Sequence, residues 1–68
     1  MIMYYIFKNK ELIWARNFKV KNEIDAKKRL EKTLNDIKKN KNITNINYDG
    51  KKLEFLDIDE KHVMKIMY

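Results

Sequence analysis

Sixty-eight residues without a cysteine make one small domain, too short for two cores and with no thiols for disulfides or a thiolate metal site. The net charge of +6 comes mostly from lysine, which supplies fourteen of the sixteen basic residues, and the hydrophobic fraction of 44% is that of a folded chain. No apolar run approaches the roughly 18–20 residues that span a bilayer, and Met1–Phe7 lacks the basic leader and cleavage site of a signal peptide. The expected compartment is therefore the cytoplasm, with no membrane partner.

Residues 2–7 are apolar or aromatic at every position, as in a strand flanked on both sides within a sheet. A polar turn follows at residues 8–11. The next run, Leu12 to Val20, alternates, with Leu12, Trp14, Arg16, Phe18 and Val20 on one face and Ile13, Ala15, Asn17 and Lys19 on the other. Residues 2–20 therefore read as a hairpin.

Asn22 has the chemistry of a helix N-cap, and Asp25 stands three residues on in the capping-box position. The helix is expected over residues 22–39. Ala26, Leu30, Thr33, Leu34 and Ile37 recur at the spacing of one buried stripe. Residues 43–56 form a second expected hairpin around Asp49-Gly50, a dipeptide suited to the positive φ values of a tight turn. The last segment, 61–67, fits either a strand, through alternation of His62, Met64 and Ile66 continuing to Tyr68, or a helical turn capped by Asp59; the alternation favours the strand.

The expected architecture is α+β, in the order ββαββ(β): an antiparallel or mixed sheet with one amphipathic helix packed on one face. This order resembles that of ubiquitin-like and immunoglobulin-binding β-grasp domains over most of the chain. In those domains the final strand lies beside the first in a mixed sheet crossed by one helix. The chain ends in Ile66-Met67-Tyr68, without the Gly-Gly tail of a conjugated modifier. A shared fold order carries little information about function.

Catalysis finds few candidates. There is no Ser or Cys; Thr33 and Thr44 are the only small hydroxyls, and the single His62 has no evident nucleophile beside it. No phosphate-binding loop, dinucleotide fingerprint or paired-histidine metal motif is present. Asp57, Asp59 and Glu60 lack the further ligands of a calcium loop and read as a solvated turn, and His62 as an ordinary surface or edge-strand residue. Neither enzymatic activity, a cofactor, a catalytic residue, a metal site nor a small-molecule substrate is expected.

Two surfaces are candidates for binding. Residues 1–41 carry twelve basic and five acidic groups, net +7, whereas residues 42–68 are net −1. Within the basic half, Lys28, Lys32 and Lys39 fall in one helical sector and, with Arg16, are the candidates for a phosphate backbone. The other surface is aromatic. If Ile13 and Ala15 pack beneath the helix, Trp14, Arg16 and Phe18 lie on the uncovered side of the sheet together with one face of the first strand, Tyr5 among its candidates. These are residue types enriched at interface hot spots. In the alternative placement Trp14 and Phe18 go under the helix and Ala15 points outward.

The preferred reading is a non-enzymatic module that binds a protein partner, or its own twin as a homodimer, and acts by occupancy. Size and composition match those of small inhibitors encoded by phage and mobile elements. Nucleic-acid binding through the lysines, with Trp14 or Phe18 stacking on bases, is the alternative.

Overall fold

A computed structural model describes residues 1–67; the part of the strand pattern that falls on Tyr68 lies outside the described residues. The elements are β1 (Ile2–Lys8), β2 (Glu11–Phe18), α1 (Glu23–Lys38), β3 (Ile43–Tyr48), β4 (Lys52–Asp57) and β5 (Glu60–Ile66). The five strands form one sheet in the order β2-β1-β5-β4-β3, with every neighbouring pair antiparallel. The α+β architecture is as expected, and the final segment is a strand. It lies beside β1, as in the β-grasp order, but runs antiparallel to it.

Turn chemistry explains the hairpins. Asn9 and Lys10 both take positive φ, 52° and 67°, and close β1–β2 with Lys8 opposite Glu11. Between β3 and β4 only Gly50 has positive φ, 92°; Asp49 acts instead through its carboxylate, which accepts the N–H groups of Lys51 and Lys52 at 2.9 and 2.8 Å. Those bonds favour the charged form and hold the Asp49 pKa below its ordinary value. At the β4–β5 turn Ile58 sits at φ 58° with its side chain 80% exposed. A β-branched residue in the left-handed region is strained by roughly 1–2 kcal/mol. Ile58→Gly should therefore stabilise the fold by about 1 kcal/mol, raising Tm by roughly 4–8 °C in a chain this short. A thermal melt showing no gain would mean that the exposed side chain is held by some compensating contact.

The helix forms where its cap is. Asn22 Oδ1 accepts the N–H of Asp25 at 2.8 Å, while the Asp25 carboxylate reaches back to the Lys21 N–H at 3.3 Å, one residue earlier than a standard capping box. Ala26, Leu30 and Ile37 are buried; Thr33 and Leu34, from the same predicted stripe, are half-buried. They pack on Ile2, Leu53 and Phe55, ringed by Phe18, Val20, Ile43, Ile46, Tyr48, Met64 and Ile66.

The helix is not centred on the sheet. It carries the chain from β2 at one edge to β3 at the other, and its backbone lies closest to β3, β4 and β5. The helix-bearing side of β1 and β2 is covered only toward the Ile2 and Phe18 end. Among the described residues no helix is long and apolar enough to cross a membrane.

Candidate binding surface

The register of β1 decides which way β2 faces. Ile2 is buried in the core, and Ile2, Tyr4 and Ile6 stand opposite Phe18, Arg16 and Trp14. Cross-strand partners share a face, so Trp14, Arg16 and Phe18 lie on the helix-bearing side. This corrects the preferred placement on the uncovered side: Ala15 points outward, opposite Tyr5. The physical reason is Ile2, whose burial under Leu30 and Leu53 fixes the parity of β1 and hence that of its partner.

Alternation also breaks once. One residue of β2, Ile13, lies unpaired between Trp14 and Leu12, the partners of Ile6 and Phe7, and forms a β-bulge. Leu12 consequently stands opposite Phe7, on the face away from the helix and not with Trp14. Tyr5 is on that outer face too, so the four aromatic and basic residues expected to act together are divided three to one.

Although on the covered side, Trp14 remains 42% exposed, because α1 does not extend over this part of the hairpin. It is held edge-on against Tyr4, with centroids 5.6 Å apart and planes at 81°. Tyr4 also meets Phe18 at 6.5 Å, and the Arg16 guanidinium lies 5.2 Å from the Phe18 ring. Beside this aromatic shelf a cleft of about 430 Å³ opens between sheet and helix, with Ile2, Phe18 and Met64 as its floor. Arg29, Lys32, Thr33 and Asp36 form its helical wall. Of the three predicted lysines only Lys32 borders the cleft; Lys28 and Lys39 are exposed elsewhere on the helix.

Tyr4 is anchored from below by His62, its hydroxyl hydrogen-bonded to Nδ1. Burial, and then the charges of Asp57 and Glu60, push the Tyr4 pKa above its ordinary value, so the hydroxyl stays neutral. His62 is 8% exposed and stacks on Phe55 at 4.8 Å with planes 10° apart. Among the described residues its Nε2 has no hydrogen-bond partner, the Glu60 carboxylate being 3.8 Å away. The expectation of a surface or edge-strand histidine is thus corrected: β5 is an interior strand, and His62 is part of the floor that supports the shelf. The signal was its place in the alternation between Met64 and the turn. The acidic residues Asp57 and Glu60 pair across that turn, with Asp59 exposed at its tip.

The outer face has a different character. Val63 is only 4% exposed although no helix covers it, lying between its cross-strand neighbours Tyr5 and Glu54. Glu54 pairs with Lys52 and, at 3.2 Å, with Lys61, which holds its carboxyl below the usual range. Tyr5 and Phe7 complete the face, 6.2 Å apart. Lys52, Lys61 and Lys65 line a shallow cleft on this face together with Tyr5, Phe7, Leu12 and Val63.

No protein-family model matches the chain, and comparison with curated proteins and with solved structures finds no match either.

Proposed function

We propose that this protein is a non-catalytic binding module that engages a protein partner through the Tyr4–Trp14–Phe18 shelf and acts by occupancy. The observation that carries the reading is the exposed Trp14 ring, fixed against Tyr4 on the part of the helix-bearing face that α1 leaves open. A rigid aromatic flanked by Arg16 loses little freedom on binding, which is why such residues dominate interface energies. Tyr5, on the outer face, has no part in this site.

Trp14 is the only tryptophan, so its emission is a direct reporter. Adding the partner should shift that emission to the blue, and Trp14→Ala should weaken binding by about 30-fold or more, the loss typical of a hot-spot residue. The cleft wall of Arg29 and Lys32 beside Phe18 favours one further reading, nucleic acid bound to the same face with Arg16, Lys28 and Lys39 adding charge. That reading requires affinity to fall steeply with salt. Binding that is insensitive to both salt and Trp14→Ala would sink the two together.

A further inference from the structure

We infer that β2 pairs with the β2 strand of a second copy, antiparallel across a two-fold axis, with Glu11 of each chain opposite Arg16 of the other. The two free edges of the sheet are unlike. β3 presents exposed polar Thr44, Asn45 and Asn47, with no large apolar side chain to bury, and Asn45 at φ 53° interrupts its ladder. β2 instead presents Leu12 and Ile13, each 50% exposed, followed directly by half-exposed Trp14. The other large exposed apolar residues lie apart from this edge: Ile24 on the helix, Ile58 in a turn, and Met1 beside Met67, whose N–H donates to the Met1 carbonyl at 2.8 Å. The backbone N–H and C=O groups along the outer side of β2 have no strand to bond, and strand addition would satisfy them.

The bulge selects the register. In a regular strand successive residues alternate between the two faces and between the two edges, so a two-fold pairing joins only positions an even number apart. Glu11 and Arg16 are five apart. The extra residue at Ile13 restores the match: Glu11 stands opposite Lys8 and Arg16 opposite Tyr4, both on the helix-bearing face. Leu12, opposite Phe7, and Ala15, opposite Tyr5, share the other face. The proposed register therefore sets Glu11 against Arg16 and Leu12 against Ala15, with Ile13 beside Trp14 at the axis, and every pair on one face. Sliding by one residue sets Arg16 against Leu12 on opposite faces, and centring the axis on Arg16 opposes like charges. Two chains of net charge +6 repel each other, and the two Glu11–Arg16 pairs offset that repulsion where the edges meet.

The pairing uses the edge of β2 and not its face; it brings Trp14 and Arg16 of the shelf to the seam, and both shelves lie on one side of a ten-stranded sheet. Sedimentation equilibrium or light scattering should show a dimer forming below about 1 mM. Glu11→Arg and Arg16→Glu, each placing two like-charge pairs in the interface, should raise the dissociation constant about tenfold. The double variant E11R/R16E restores both pairs in reverse and should recover most of the loss. Circular dichroism on each variant verifies that the exposed substitutions leave the fold intact. A chain monomeric at about 1 mM, single variants without effect, or a double variant as weak as the singles would each overturn the pairing. In that event Trp14-dependent partner binding would still stand as a separate result.

Discussion

Leu30→Ala should cost about 3–5 kcal/mol and leave the chain largely unfolded at room temperature. Leu30 is fully buried at the centre of α1, against Ile2, Leu53 and Phe55. Removing its three outer carbons forfeits their transfer energy and leaves a cavity that a sheet cannot collapse to fill. A domain of this length has roughly 3–10 kcal/mol in total, and the chain has no cysteine from which a disulfide could make up the difference. Urea denaturation followed by circular dichroism measures the loss. A change below about 1 kcal/mol would mean that α1 does not dock on β4 and β5 as described.

His62→Ala should destabilise by about 2–4 kcal/mol. The ring is stacked on Phe55, and its Nδ1 is hydrogen-bonded to the Tyr4 hydroxyl. Truncation empties the space beneath Phe55 and leaves that hydroxyl without its protein partner. It should also loosen Trp14, which leans on Tyr4, so the tryptophan emission should move to the red in the still-folded fraction. His62→Phe separates the two roles: it fills the space without making the bond, and should recover most of the stability while Tyr4 remains unpaired. Full stability in His62→Ala would show that neither the stacking nor the bond matters.

The elements were readable because each carries its own local signal. Asn22 caps, Asp49-Gly50 turns, and the stripe from Ala26 to Ile37 has helical period, so the helix and both hairpins fall within two residues of their expected places. What the pattern could not settle is which face of β2 meets the helix. Both faces of that hairpin are apolar, and the choice is made at a distance, by the burial of Ile2 against Leu30 and Leu53. The bulge at Ile13 was equally hidden, since alternation continues through it in sequence while Leu12 changes sides in space. His62 escaped notice for a related reason: an interior position for β5 follows from its pairing with both β1 and β4, a long-range fact.

The expected surplus of apolar surface on the first hairpin is real, but it is disposed differently. The helix lies off to one side, and on the outer face Lys52, Lys61 and the Glu54 ion pairs border the apolar residues Tyr5, Phe7, Leu12 and Val63. The aromatic shelf consequently sits next to the helix, where the basic residues Arg29 and Lys32 can reach the same ligand as Phe18.

The lateral offset of α1 divides the labour of the chain. Three strands and the helix form two layers that hold one another in place, while the distal part of the β1–β2 hairpin is a single layer fastened along one side. Residues in that single layer, Trp14 and Arg16 among them, can be exchanged with little penalty to the two-layer half. Recognition can thus diversify in this protein at a pace that its core, limited by Leu30 and Leu53, does not share.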